Sequence, residues 1–358
     1  MQVTAKGTDN FFEMQFLNRT YPGRHRVRFD RHAGISGPGG HPALRLRPSI
    51  GLHAHRANLA YCESDSGILS NLQLFGACVA IWGSTWLAIT FQLGAVAPEA
   101  SVFYRFLLAS VLLFAYCRAR ALPLRYSPRQ HAWIALQGVL MFSVSYVCVY
   151  YAEQQVVSGL VAVGYSASPL LNMFGMRLFF GVRMTARVAT GAALGMAGII
   201  LVFWPEFAHL RHDGSVALGA AFTAGAVVLS ALSSMTAHRN HDAGLPIWQT
   251  MAWGMLYGAI FTLGLTLALG RTLGFEPTAA YVSSLLYLSL FGSILAFGAF
   301  LTLLSRVGPA RAGYVGVMVP IAALVVSGFF EGFRWQALTF VGVAVSVAGN
   351  VIILKRDS

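Results

Sequence analysis

The side chains that could bind or carry a solute in this chain sit inside long apolar runs and recur at helical spacing. Ser143, Tyr146, Tyr150 and Glu153 lie three, four and three residues apart, on one face of a helix. Turned to lipid, that stripe would leave its polar groups unsatisfied; turned inward, it lines a cavity. Tyr165, Ser168, Pro169, Asn172 and Met176 share a second face, and Trp82, Thr85 and Trp86 a third. Pro169 has no N–H for the carbonyl one turn back, at Tyr165, so that oxygen needs another partner. A freed carbonyl in mid-helix is both a ligand and a bending point. The substrate-binding candidates are Trp82, Thr85, Arg105, Tyr146, Tyr150, Tyr165, Ser168 and Asn172; the gating candidates are Pro169, Pro320 and Glu153.

Two of these residues have competing readings. Arg105 stands among Phe103, Phe106 and Leu107. It is either a cation holding an anionic group of a substrate, or a side chain that snorkels to the interface, about 10 Å away at 1.5 Å per residue, or pairs with Glu99. Glu153 is a proton acceptor for coupling, a gate partner, or a loop acid. Trp82 is too deep in its run for an interface anchor. Thr223, Ser230 and Ser234 offer polar groups on a later helix.

The elements that must position these residues follow from composition. The chain is 56% apolar and 11% charged, with mean hydropathy +0.62. From about residue 69 it alternates runs of ~20 apolar residues with short polar breaks, the length that spans a bilayer as a helix. The expectation is an all-α membrane protein with ten transmembrane helices, at 70–92, 98–117, 132–152, 157–180, 186–204, 215–237, 246–269, 279–304, 310–330 and 335–354.

What is missing narrows the chemistry. There is no phosphate loop of the Gly-x-x-x-x-Gly-Lys type, and only Lys6 and Lys355 occur, so ATP hydrolysis by that route is excluded. No His-Glu-x-x-His or Gly-x-Ser-x-Gly supports an embedded hydrolase, and the chain is read as a non-enzyme without metal or cofactor. The net charge of +12 is spread over loops rather than gathered in a stripe, so it orients the chain in lipid and does not bind nucleic acid. Cys62, Cys78, Cys117 and Cys148 have no metal spacing, and no disulfide is expected.

The chain also contains a repeat. Shifted by 151 residues, 158–203 falls without a gap on 309–354: Pro169 meets Pro320, Gly181 meets Gly332, Arg183 meets Arg334, and Gly191 and Gly198 meet Gly342 and Gly349. The loops after spans two, four, six and eight and the C-terminal tail hold Arg118, Arg120, Arg125, Arg129, Arg183, Arg187, Arg239, Arg306, Arg311, Lys355 and Arg356. The other loops hold Arg211, Arg271 and Arg334. The positive-inside rule then puts both termini in the cytoplasm. With five spans per half, the second copy enters the membrane upside down, the inverted-repeat plan of secondary transporters.

Residues 1–68 carry nine Lys+Arg, five Asp+Glu and five of the ten His, without a signal-peptide pattern. They read as a disordered leader or as sequence upstream of the true start, with a lipid-binding basic arm as the functional alternative and a loose metal cluster of His41, His53 and His55 as a weaker one. The domain plan is thus 1–68 leader, 69–205 first five-helix repeat, 206–354 second repeat and 355–358 cytoplasmic tail. Small-xxx-small pairs, Gly191/Gly195 and Gly254/Gly258, read as helix packing or as a homodimer face.

The stretch WGSTW (82–86), the run YRFLLAS (104–110) after Pro98-Glu99, the segment GLVAVGYSASPLLN and the ending GNVIIL resemble the EamA-type permeases of the drug/metabolite transporter superfamily. The resemblance covers about residues 70–355. It implies a multi-pass permease of the cytoplasmic membrane that exports or exchanges small metabolites through a central cavity, with a small-molecule substrate and membrane lipid as partners. Such proteins often carry Gly-Glu-Arg after the fourth and ninth spans. This chain has Gly181-Val182-Arg183 and Gly332-Phe333-Arg334, with Glu331 displaced by two positions.

Overall fold

A computed structural model describes residues 69–181, 185–209, 215–312 and 314–354. The leader with its histidines, Val182, Arg183, Arg211, Gly313, the C-terminal tail and the side chain of Pro169 lie outside the described set. The described residues are helical: α1 (Asn71–Thr90), α2 (Pro98–Ala119), α3 (Pro128–Glu153), α4 (Ser158–Gly164), α5 (Ser168–Phe180), α6 (Ala186–His209), α7 (Ser215–Asp242) and α8 (Ile247–Ala268). Then come α9, made of Ala279–Tyr287, Leu288–Leu295 and Ala296–Ala312 in succession, α10 (Tyr314–Phe330) and α11 (Ala337–Leu354). Among the described residues, six helices are long and apolar enough to cross a membrane: α1, α2, α3, α7, α8 and, in α9, Ala279–Leu303. Shorter apolar helices cover Ala189–Pro205, Tyr314–Phe330 and Ala337–Ile352.

Helix starts follow local chemistry. Ser70 and Ser127 each form a capping box: the hydroxyl accepts from the backbone N–H of Gln73 or Gln130, and the glutamine carbonyl returns the bond to the serine N–H at 2.7 and 2.8 Å. Thr278 caps α9 by accepting from the Tyr281 N–H. Several of these marks recur at the interval of 151: the caps Ser127 and Thr278, the starts of α6 and α11 at Ala186 and Ala337, and the left-handed glycines Gly181 and Gly332, at φ 67° and 70°.

The interval also joins two backbone irregularities. α3 passes through a π turn at Leu140–Val144, and α9 through one at Leu288–Leu295, whose second half is the 151-residue counterpart of the first. A π turn shifts the angular register across it, so Ser143, inside the turn, is offset from the face that Tyr146, Tyr150 and Glu153 share beyond it.

The fourth span, expected as one helix over 157–180, is broken. After α4 a single 3-10 turn, Tyr165–Ala167, leads into α5, with Pro169 in the first turn of the new helix. Proline is tolerated there, where its missing N–H has no intrahelical partner to lose. The Tyr165 carbonyl accepts from the Ser168 N–H. Pro320, by contrast, lies inside the continuous α10.

Lipid is as apolar as leucine, so such helices associate through close packing and interhelical hydrogen bonds. α2 packs on α8, α6 on α11 and α4 on α10; α1 packs on α9 and α10, while α7 packs on α3 and α5. At the α6–α11 crossing the backbones nearly touch. A Cβ on Gly198 would meet the Gly342 carbonyl oxygen at 2.5 Å, and one on Gly349 the Gly191 carbonyl oxygen at 2.5 Å. Likewise a Cβ on Gly258 would come 2.9 Å from the Gly138 oxygen of α3. Gly198, Gly342 and Gly349 at one crossing and Gly138 and Gly258 at the other thus pack within the chain, whereas a Cβ on Gly195 would meet nothing within 4 Å. Polar bonds join the same helices: Thr262 donates to Ser143 at 2.6 Å, Asn240 to Gln137 at 2.9 Å, and Ser110 to the Ala252 carbonyl at 3.0 Å.

Candidate functional site

The π turn of α9 faces α1 and α2. Trp82 Nε1 donates to the Gly292 carbonyl at 3.2 Å, and the Ser293 hydroxyl donates to the Leu288 carbonyl, five residues back, at 2.9 Å. Ser289 donates to the backbone oxygen of Arg105 at 3.1 Å. Gly292 is required by proximity, because a Cβ there would come 2.8 Å from Thr85 Cγ2. Wider π backbone and absent side chain together let α1 reach the helix and find a carbonyl to bond.

Arg105 is 2% exposed and neither snorkels nor pairs with Glu99. Glu99 instead accepts from the Tyr151 hydroxyl at 2.6 Å. The Arg105 guanidinium lies 4.6 Å from the Tyr146 ring centre and 5.2 Å from that of Phe106, and its Nε donates to Ser293 at 3.4 Å. Its Nη1 is buried without a hydrogen-bond partner, and among the described residues no ion pair involves it.

Beside Arg105 lies a cavity of about 320 Å³. Of the sequence candidates, Trp82, Thr85, Arg105, Tyr146, Tyr165, Ser168, Asn172 and Pro320 line it, with Trp86 and Ser230. Its walls are aromatic: Trp82 packs on Phe297 with centroids 5.2 Å apart, and Trp86 on Tyr165 at 5.1 Å. Tyr165 shares a 3.2 Å bond with Ser145, which donates to the Ala226 carbonyl. Two other lining residues also hold a buried atom without a partner, Ser168 at Oγ and Asn172 at Oδ1.

Other candidates lie elsewhere. Tyr150 is fully buried and donates to Gln92 Oε1 at 2.6 Å, away from the lining. Ser143 is spent on Thr262. Glu153 ends α3, 7% exposed, with both carboxylate oxygens buried and unpartnered. Thr223 and Ser234 bond carbonyls of their own helix four residues back.

At the end of the molecule where α3 stops and α4 starts, a polar network joins the helices. The Glu331 carboxylate, just beyond α10, accepts from the Ser158 N–H at 3.1 Å, from the Ser158 hydroxyl at 2.5 Å and from the Ser327 hydroxyl. Ser327 Oγ in turn accepts from the Gly159 N–H at 2.8 Å. Spacing arguments passed over this network, since Ser158 and Glu331 each look like ordinary span boundaries. The apolar lining residues Met141, Phe142, Val149 and Phe297 carry no sequence signal beyond hydrophobicity.

Lining residues come from α1 to α5 on one side and from α7, α9 and α10 on the other. The model of the EamA-like transporter family matches twice along the chain, at residues 70–204 and 217–355, which divides the lining in the same way. Among curated proteins, the chain is 30% identical over 297 residues to "Uncharacterized inner membrane transporter YedA" of Escherichia coli K12, covering 79% of this chain and 90% of that one. It is 24% identical to "Uncharacterized transporter YetK" of Bacillus subtilis (85% and 94% covered) and 24% identical to "Protein PecM" of Dickeya dadantii (80% and 94% covered). One solved crystal structure superposes with a TM-score of 0.59 at 16% identity, covering 78% of this chain and 94% of the other, a likeness of fold. A helical chain whose cavity is walled by two successive matches to one family model belongs to that family, the EamA-like transporters.

Proposed function

We propose that the protein is a secondary transporter that exports or exchanges small metabolites, amino acids and amine drugs among the candidate classes, by alternating access. The observation that carries this is the cavity, which both family-matched halves line and which sets polar side chains among aromatic walls. Its volume of about 320 Å³ is near the lower end of small-molecule sites, about 300–1,000 Å³. The Ser158–Glu331–Ser327 network ties α4 to α10 outside the lining, and a bonded contact of this kind between the two halves, able to form and break, speaks for a carrier over a passive channel. In this reading the chain spans the inner membrane ten times with both termini cytoplasmic, as two inverted five-helix repeats rocking against each other. The recurrence of caps, π turns and left-handed glycines at 151 residues supports the repeat, and the loop arginines support the orientation.

Reconstituted vesicles loaded with a metabolite panel supply the test. Saturable uptake that is accelerated by solute on the far side identifies a carrier. Flux that neither saturates nor responds to far-side solute identifies a channel, and no flux for any member counts against transport of that panel.

A further inference from the structure

We propose that the cavity selects organic acids: solutes bearing one carboxylate on an apolar, preferably aromatic, body, and not amines that lack an acid. This rests on the cavity being the solute site of the transport reading, and it narrows that reading.

Charge makes the first argument. A buried cation costs several kcal/mol unless it is compensated. Arg105 is 2% exposed with no ion pair among the described residues. The ring faces of Tyr146 and Phe106 offset part of that cost, and Nε is engaged by Ser293. Arg105 is itself one of the side chains that line the cavity, so its charge borders the space a solute would fill. A carboxylate in that space compensates the guanidinium, the anionic group that arginine is best shaped to hold.

The remaining lining agrees. Among the described residues it contains no Asp, Glu or His, so a solute ammonium finds no counter-charge and meets Arg105 as a like charge. A single cation compensates a single carboxylate, so a dicarboxylate would leave one charge bare. Ser168 and Asn172, which also line it, add neutral polar groups and no charge. Trp82, Trp86, Tyr165 and Phe297 present the faces for an aromatic body.

The test uses three probes with one body and three heads: 3-phenylpropionate, 3-phenylpropylamine and uncharged 3-phenylpropanol. Binding to the purified full-length protein in detergent is measured by calorimetry and by quenching of tryptophan fluorescence. The acid should bind at least about tenfold more tightly than either partner, as expected for a charge-assisted bond in a buried site. Arg105→Gln should erase that preference, and Arg105→Lys should keep part of it. Equal or tighter binding of the amine, absence of binding by all three, or a preference that survives in folded Arg105→Gln overturns the proposal. If Arg105→Gln does not fold, the wild-type comparison alone decides. The outcome is separable from transport itself: acid binding without flux in vesicles leaves this selectivity standing and sinks the transport reading, whereas amine flux without acid binding does the reverse.

Discussion

Glu331 and Ser158, 173 residues apart in the chain, are joined by two hydrogen bonds: the glutamate accepts from the serine N–H at 3.1 Å and from its hydroxyl at 2.5 Å. The bonds fasten the start of α4 to the end of α10, one helix from each family-matched half. A charged acceptor makes such bonds stronger than neutral ones.

Glu331→Gln should loosen this end. In a chain whose own cysteines are replaced by alanine, a Val149→Cys reporter in the cavity wall should react with a membrane-impermeant thiol reagent, applied from the Glu331 side, about tenfold faster once the charge is removed. An unchanged rate would mean that these bonds do not hold the end closed.

The two matched prolines should behave differently. The fourth span already breaks at Tyr165–Ala167, immediately before Pro169, while α10 runs unbroken through Pro320. Pro169→Ala should therefore lower turnover more than Pro320→Ala, with little change in substrate affinity for either, since hinges set rates. Initial-rate transport beside equilibrium binding checks this; a loss of affinity at unchanged turnover would make the prolines part of the ligand site.

Gly198→Leu should destabilise the fold by ~1–3 kcal/mol or more, because no volume exists for a side chain against α11. A lowered Tm in detergent is the readout. Gly195, beside which a Cβ would find open space, provides the control: Gly195→Ala should be tolerated far better.

Glu153→Gln keeps the shape of α3 and removes an acid whose two oxygens are buried and unpartnered. If that acid carries the coupled proton, uptake driven by an imposed proton gradient should disappear while exchange of solute for solute persists. Gradient-driven uptake equal to wild type would leave Glu153 with a packing role.

Hydropathy located the six long apolar helices, because a run of about 20 apolar residues admits few other structures. The shift of 151 residues reached further than the stretch in which it was seen, back to Ser127 and Thr278. The π turns were not legible. They depend on what the widened backbone meets, such as Trp82 at the Gly292 carbonyl, and residue spacing within one helix holds no record of it. Tyr146 lines the cavity while Tyr150, one turn further along the same helix, is bonded to Gln92, a difference set by neighbours that spacing does not record. Arg105 was visible as a costly residue; that it would not pair with Glu99, whose Oε2 is left buried and unpartnered, was not.

The crossing of α6 and α11 has a mechanical side. The contact of Gly198 with Gly342 becomes the contact of Gly349 with Gly191 when the halves are exchanged by 151 residues, so the two helices meet as equals. Backbones in direct contact have no slack along which to slide. In the transport reading that seam is the part of the bundle with least room to move, and the other helices would turn about it as a door turns about its pin.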